Sequence, residues 1–208
     1  MEEKKISIKY PVITIDREYA AYGRTIAAKL SERIGIPYYD KDFVKKTAEK
    51  GGYSEEDIQR EGEAMSLISK FFNNFLNNAA AYESSFDGIF HAEKEVILEL
   101  STSPCIIVGR CAAHILREAG IPSFNIFLYA DKEHKMKRAA ELDENAEIKK
   151  TEDIEKILEK RERLREIYYK QYTGEEMSDL RNYNICMDTG TIGVDACVDI
   201  LEKLIVKE

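Results

Sequence analysis

The chain has 208 residues, of which 44% are hydrophobic and 34% are charged, and this composition is typical of one globular domain with a substantial core. Its formal net charge of −8 excludes a general affinity for nucleic acid or for anionic membranes. Any binding site for an anion must therefore be a local cluster of basic residues on an acidic background.

The four cysteines indicate a reducing compartment. They stand at positions 105, 111, 186 and 197, and no two of them form a C-x-x-C pair. Buried free thiols are common in apolar runs such as those around Cys105 and Cys186, so we expect a cytoplasmic protein. The charged N-terminal segment is unlike a secretion signal, and no apolar run approaches the roughly 18 residues of a membrane span. The three scattered histidines offer no metal-ligand spacing.

The first predicted elements are a strand, a short turn and a helix. Val12–Ile15 is apolar and β-branched, which is typical of a buried strand. Gly23 breaks this pattern, and apolar residues then recur at helical spacing at Ile26, Ala27, Leu30 and Ile34. A helix that begins just beyond a strand directs unpaired N–H groups and the positive end of its dipole past the sheet edge. This arrangement favours phosphate binding.

The same stretch partly fits the phosphate-loop pattern G-x-x-x-x-G-K-[ST]. Aligned from Glu18 to Thr25, the chain keeps the second glycine as Gly23 and the hydroxyl as Thr25, and it has Arg24 in place of the lysine. Arginine still supplies a cation whose donors can contact phosphate oxygens in pairs. Ala20, Ala21 and Tyr22 occupy positions where glycine eases close backbone approach. Taken alone, the pattern also fits an ordinary strand–turn–helix corner.

The next segment predicts a short strand and a group of helices. Residues 35–40 predict a short second strand that ends in the acidic Asp40, and Lys41–Lys50 predicts a short helix before two glycines. Ser54 is a plausible cap of a further helix, whose apolar stripe runs from Ala64 to Ala79. That stripe either packs against the sheet domain or forms a dimer surface, so a homodimer is one alternative. Phe86–Leu100 is another helix.

The second half of the chain alternates buried strands with helices. The predicted strands are Cys105–Val108, Phe124–Ala130 and Asn184–Met187. The predicted helices are one ending near Ala119, a charged helical region Asp131–Tyr172 with a break over Glu141–Thr151, and a closing helix Val194–Val206. The inner face of the closing helix comprises Val194, Cys197, Val198, Leu201, Leu204 and Ile205. This alternation predicts an α/β fold with a parallel sheet that is covered on both faces.

Ligands of such sheets bind at the carboxyl ends of the strands. We therefore expect Arg17–Arg24, Asp40, Arg110 and the residues after Met187 to converge on one rim of the sheet. Arg110 directly follows a buried strand, and a charge there either contacts a ligand or forms a structural ion pair. The run Lys160–Arg165 places Arg161 and Arg165 on one helix face, which taken alone is usually a solvated face.

Taken together, these cations favour phosphoryl transfer between nucleotides. Such a reaction needs positioned cations and Mg²⁺ more than an acid–base pair, because charge spreads over the transferring oxygens. A phosphate acceptor is already an anion near neutral pH and requires no strong general base. The sequence offers no convincing Ser/His/Asp or Cys/His arrangement, which is consistent with this chemistry.

With these motifs in view, the chain resembles the cytidylate kinase-like family, a branch of the P-loop nucleoside monophosphate kinases. The resemblance covers nearly the whole chain. Five motifs carry it, namely ITIDREYAAYGRTIA (13–27), IPYYDKD (36–42), PCIIVGRCAAHIL (104–116), REIYYKQYTG (165–174) and NYNICMDTGTIG (182–193). The family usually reads R-E-Y-G-S-G-G-R at the loop, so Arg17, Glu18, Tyr19, Gly23 and Arg24 match, whereas Ala20, Ala21 and Tyr22 do not.

The resemblance implies a single three-layer domain with a five-stranded parallel sheet. It also implies a helical acceptor-binding insert over about residues 40–100 and a lid over about residues 141–175. By position in the family, the implied roles are as follows. The resemblance implies that the phosphates of ATP are held by residues 17–25 and that Mg²⁺ is contacted by Thr25. It implies that the acceptor is bound by Asp40, Lys46, Arg110, Glu162 and Arg165, and that the donor base lies by Asp188 and Thr189. It implies catalytic roles for Arg24, Arg161 and Arg165.

The activity that this resemblance implies is transfer of a phosphoryl group from ATP to CMP or dCMP. Two alternatives stay open. One is a non-catalytic nucleotide or anion sensor on the same fold, which the missing glycines and Tyr22 favour. The other is a kinase of a different small metabolite, because a fold does not determine a substrate.

Overall fold

The computed structural model of the chain describes residues 7–40, 43, 85–142 and 151–207. In chain order, its strands are β1 (Val12–Arg17), β2 (Tyr38–Tyr39), β3 (Cys105–Val108), β4 (Ser123–Tyr129) and β5 (Ile185–Asp188). The helices of the described residues are α1 (Gly23–Ile34), α2 (Ser85–Leu100), α3 (Ala112–Glu118), α4 (Lys132–Glu141), α5 (Thr151–Thr173), α6 (Thr189–Ile192) and α7 (Val194–Ile205).

The five strands form one parallel sheet in the order β2-β3-β1-β4-β5. Strand β1 is central, and all six of its residues are buried because helices cover both faces. Inside the sheet the Thr14 hydroxyl donates to Asn125 Oδ1 of β4 at 2.8 Å, which satisfies its polar group. The predicted α/β fold with a five-stranded parallel sheet is thereby confirmed.

Two apolar clusters build the layers above and below the sheet. On one face Ile13 and Ile15 of β1 pack with α1 and α7, for example with Leu30 and Leu201. On the other face Val12 packs with α2 and α3 and with Tyr169 of α5. A third, smaller cluster joins α4 and α5 to Tyr19, which follows β1. The loop after β1 is therefore enclosed by helices from two directions.

Some expectations differ from the structure. Leu204 was predicted on the inner face of the closing helix, but it is 41% exposed because the buried stripe of α7 follows Cys197, Val198, Leu201 and Ile205. The short helix α6 was not predicted, since four residues show no periodicity.

Much of the predicted insert lies outside the described residues. This applies to the helix Lys41–Lys50 beyond Phe43, to the helix capped by Ser54, and to the stripe Ala64–Ala79 with its dimer alternative. The insert and lid boundaries stay predictions. None of the described helices is both long enough and apolar enough to cross a membrane.

Candidate active site

A cavity of about 590 Å³ opens at the carboxyl end of the sheet. The loop after β1 and the first turn of α1, residues 16–25, form one wall. Gly109–Cys111, which follow β3, form the second wall, and residues from α4 and α5 cover it. Six arginines of the described residues line this cavity, namely Arg17, Arg24, Arg110, Arg138, Arg161 and Arg165. The cavity is therefore strongly cationic in a chain of net charge −8.

The N-terminus of α1 is open toward this cavity. The first helical hydrogen bond runs from Ile26 N–H to the Tyr22 carbonyl at 2.9 Å, and no side chain caps the helix. The amides of residues 23–25 therefore precede the helical hydrogen-bond pattern. Such amides and the helix dipole favour an anion, and a helix of 12 residues carries the full effect.

The loop keeps a backbone shape that usually requires glycine. Ala20 has a φ of 60° and Tyr22 a φ of 58°, both in the left-handed region. These are two of the positions where the related pattern R-E-Y-G-S-G-G-R has glycine. The conformation costs a residue with a Cβ roughly 1 kcal/mol. The chain thus retains the turn despite the substitutions, and the Tyr22 ring lies against the Arg138 guanidinium at 4.9 Å.

The Arg17 side chain runs between two glycines. It is only 8% exposed. A Cβ at Gly23 would lie 2.9 Å from Arg17 Cγ, and a Cβ at Gly109 would collide with a guanidinium nitrogen. Both glycines are therefore needed for the guanidinium to reach the cavity wall. Burial lowers the pKa of Arg17, and the Asp16 carboxylate opposes this effect.

Arg110 is held by a buried acid that the sequence analysis missed. Glu93 of α2 is fully buried, and its Oε1 lies 3.3 Å from Arg110 Nε. The Tyr168 hydroxyl donates to Glu93 Oε2 at 2.6 Å, and the Arg110 guanidinium lies 5.0 Å from the Tyr168 ring centroid. Burial raises the pKa of Tyr168, so that hydroxyl stays a donor. Arg110 thus forms the structural ion pair that was one of the two alternatives, and it also lines the cavity; its contact with a ligand stays a prediction.

Helix α5 is docked on the loop after β1. An Arg165 η nitrogen donates to the Arg17 carbonyl at 3.0 Å. The guanidinium carbons of Arg161 and Arg165 lie 5.9 and 5.5 Å from the Tyr19 ring centroid. These contacts bring the two arginines of the Lys160–Arg165 run to the cavity.

A lysine that the sequence analysis missed links the same helix to the loop. Lys135 Nζ of α4 contacts Glu18 Oε2 at 2.8 Å and Glu162 Oε1 at 2.6 Å. Partial burial opposes the charged form of Lys135, but its hydrogen bonds to Glu162 and Glu18 raise its pKa. In this structure Glu162 therefore pairs with Lys135 and lies outside the cavity lining.

The other predicted site residues differ in placement. Thr25 lines the cavity, and Asp40 pairs with Arg24 at 2.9 Å. Asp188 accepts from Gly190 N–H and Thr191 N–H as the cap of α6. Thr189 is buried, and its hydroxyl lies 3.1 Å from the Tyr129 carbonyl and 3.4 Å from the Ala21 carbonyl. Lys46 lies outside the described residues, and all these roles stay predictions.

Asp16 is a further acid in the cavity that sequence reasoning missed. It is 3% exposed, and among the described residues its Oδ2 atom has no hydrogen-bond partner. Burial raises the pKa of this carboxyl to about 6, although Arg17 and Arg165 lower it. The sequence signal was an aspartate in the otherwise apolar strand VITID. For Glu93, the signal was a charged residue at helical spacing from Val96, Ile97 and Leu100, on the buried face of its helix.

A sequence model of the cytidylate kinase-like family matches residues 12–191. The chain belongs to this family. Its match spans the loop after β1, the G-R segment after β3, α5 and strand β5.

Individual relatives agree with this assignment. Cytidylate kinase of Thermoplasma acidophilum is 28% identical over 178 residues, which cover 85% of this chain and 82% of that protein. An uncharacterized protein from Eubacterium ventriosum has a similar structure, with a TM-score of 0.67, 24% identity, and coverage of 92% of this chain and 96% of that one. Shikimate kinase from Bacteroides thetaiotaomicron aligns with a TM-score of 0.53 and 11% identity over 93% and 97% of the two chains. These structural similarities show a shared kinase fold.

The residues present fit a Mg²⁺ ion that arrives with a nucleotide. Among the described residues no group of three or more His, Cys, Asp or Glu side chains could hold a metal by itself. Mg²⁺ commonly keeps several waters and takes only one or two protein ligands beside substrate phosphates. The half-buried Thr25 hydroxyl in the cavity wall is a suitable single ligand.

The positive-φ loop makes a stability prediction. We expect Ala20→Gly to leave the free energy of unfolding unchanged or to raise it by up to about 1 kcal/mol, because relief of strain offsets the added entropy of the unfolded chain. Ala21→Gly is the control, since Ala21 is not among the positive-φ residues, and it should cost about 1 kcal/mol. Urea unfolding of both variants measures the difference. Equal losses in the two variants would contradict the strain.

Asp16 makes a prediction about pH. Its pKa is raised in the folded state, so the stability it contributes is complete below pH 4 and is lost as pH rises through about 6. We expect Asp16→Asn to match the wild type near pH 4 and to be more stable at pH 7.5 by on the order of 2–3 kcal/mol. The measurement is urea unfolding at several pH values. Asp195→Asn on the surface of α7 should retain the wild-type slope between pH 4 and 6, and the same slope in Asp16→Asn would refute the prediction.

The Glu93–Arg110 pair makes a third prediction. Removing the buried charge by Glu93→Gln leaves Arg110 without its counter-ion and should destabilise the fold. In a double-mutant cycle with Arg110→Met, we expect a coupling energy on the order of 1–3 kcal/mol. Urea unfolding of the four proteins gives this value. Additive losses would show that the two side chains do not stabilise one another.

Proposed function

We propose that the chain transfers the terminal phosphoryl group of ATP to a nucleoside monophosphate, with CMP or dCMP as the acceptor. The observation that carries this proposal is the single cavity in which a phosphate loop, an open helix N-terminus and six arginines of the described residues meet. Membership of the cytidylate kinase-like family supports the same reaction. The relative named cytidylate kinase supports the choice of acceptor.

On this proposal the donor phosphates lie along residues 17–25. The amides at the start of α1 and the Arg24 guanidinium hold their oxygens, and the alternating backbone of the loop at Ala20 and Tyr22 brings further amides close. Asp188 and Thr189, at the start of α6, lie beside this loop, and the base of the donor nucleotide binds next to them. The Thr25 hydroxyl would hold a Mg²⁺ ion that comes with the nucleotide, and the ion would supply neutralisation of charge on the donor phosphates.

The acceptor lies on the opposite side of the cavity. Arg110, fixed by Glu93 and Tyr168, binds its phosphate, and Asp40 and Lys46 contribute to its site. Glu162 contributes only once it leaves its ion pair with Lys135. Arg161 and Arg165 approach from α5 and neutralise the charge that spreads over the transferring oxygens. Closure of α5 over the cavity excludes water, which would otherwise compete as the acceptor.

A nucleotide sensor without catalysis is the second candidate. Ala20 and Tyr22 in place of glycines favour it, because the Tyr22 ring adds bulk to the loop at the Arg138 side. A calorimetric titration with ATP, followed by a coupled ADP-release assay with CMP, dCMP, UMP and AMP, separates the candidates. Turnover with CMP or dCMP supports the kinase. Binding of ATP without turnover of any acceptor supports the sensor and refutes the kinase.

Arg110 provides the sharpest test of the acceptor site. We expect Arg110→Ala to raise the acceptor KM by roughly 10- to 100-fold and to lower kcat, because one charge-assisted contact to phosphate is lost. The ATP KM should change by less than about threefold. Arg181→Ala, which removes a surface arginine paired with Asp179 outside the cavity, is the matched control. An unchanged acceptor KM in Arg110→Ala would exclude this role.

A further inference from the structure

Two residues that line the cavity, Asp16 and Tyr169, have buried polar side chains. Asp16 Oδ2 makes no hydrogen bond within the described part of the chain, whereas the Tyr169 hydroxyl has the Tyr183 hydroxyl as a hydrogen-bonding neighbour. Asp16 is 3% exposed and Tyr169 is 2% exposed, so bulk water does not satisfy them. Buried polar atoms in native proteins nearly always have partners. A hydrogen-bond donor of a molecule in the cavity would supply the partner that Asp16 Oδ2 lacks.

The groups around Asp16 come from every element that packs against it. Arg17 follows it in β1, Cys111 lies after β3, and Arg165 and Tyr169 belong to α5. Tyr183, ahead of β5, adds a hydroxyl that donates to the Met177 carbonyl at 2.9 Å. The nearest cations are directed elsewhere, since Arg165 donates to the Arg17 carbonyl and Arg17 passes between Gly23 and Gly109.

The position of Asp16 assigns this subsite to the acceptor side of the cavity. Residues alternate along β1, so Asp16 shares a face with Val12 and Thr14. That face is covered by α2, α3 and α5, whereas α1, whose N-terminus faces the donor phosphates, covers the other face. Arg110 and Glu93 lie on the same side as Asp16.

We propose that Asp16, with Tyr169 beside it, binds the phosphoryl acceptor directly by accepting a hydrogen bond from an N–H or O–H group of that molecule. The inference rests on the proposed phosphoryl transfer in this cavity. A carboxylate repels a phosphate, so the contacted group belongs to the base or sugar of the acceptor. This would make Asp16 a specificity-determining residue and explain why a costly buried carboxylate is present.

Steady-state kinetics of Asp16→Asn with CMP and dCMP tests the proposal. At pH 7.5 we expect the acceptor KM to rise at least tenfold and the ATP KM to stay within twofold. The ratio of the acceptor KM of Asp16→Asn to that of the wild type should fall toward 1 below pH 6, where the wild-type carboxyl is protonated. This ratio cancels the titration of the acceptor's own phosphate. Tyr169→Phe should raise the acceptor KM by a smaller factor.

Asp195→Asn is the control for the same chemical change on the surface, and it should leave both KM values unchanged. A KM ratio near 1 at every pH, or equal increases for ATP and the acceptor, would overturn the proposal. If no acceptor is turned over, the kinase proposal fails, and calorimetric dissociation constants of CMP and dCMP then test Asp16 separately. A tenfold weaker complex in Asp16→Asn supports the contact. Equal constants, or no binding of either nucleotide by the wild type, refute it.

Discussion

The site depends on holding like charges close together. Six arginines of the described residues line one cavity, and two such charges 4 Å apart repel by about 4 kcal/mol at an effective dielectric constant of 20. The structure offsets this repulsion with carboxylates placed behind the cations. Glu93 pairs with Arg110 and Asp40 with Arg24, while Lys135 links Glu18 to Glu162. The acidic excess of the chain therefore contributes directly to building an anion site.

Aromatic rings and backbone carbonyls also contact the arginines of this cavity. The faces of Tyr19, Tyr22 and Tyr168 lie within 6 Å of arginine guanidinium groups, and such contacts stabilise a cation without neutralising it. The Arg17 carbonyl oxygen accepts a hydrogen bond from the Arg165 guanidinium, which likewise leaves the cation charged. An arginine held by a ring or a carbonyl keeps its full charge for a phosphate. Tyr22 of the loop after β1 makes such a contact with Arg138.

The sequence was most informative where periodicity and apolar burial decide the structure. The strands around Val12–Ile15 and Cys105–Val108, and their place in a parallel sheet, follow from such patterns, whereas the order of the strands in the sheet was not predicted. The approach of Arg110 to the cavity followed from its place at a strand end. Glu93 and Lys135 were missed because their partners are distant in the chain, and no local pattern encodes a contact between α2 and the residue after β3. Asp16 was missed because its surroundings come from distant elements. The exposed Leu204 shows the same limit, since helical spacing defines a stripe but not its edge.

The two kinds of buried acid in the cavity have different physical roles. Glu93 is matched by a cation and a hydroxyl, so its charge contributes to one fixed arrangement of Arg110. Asp16 has cations nearby but no hydrogen bond at Oδ2 within the described residues, and its pKa is raised by burial. A buried carboxylate that already has partners keeps them when a ligand binds, whereas a carboxylate oxygen without a hydrogen bond gains one from the ligand. A molecule that donates a hydrogen bond to Asp16 therefore binds more tightly than one that does not. A polar subsite discriminates between ligands in this way.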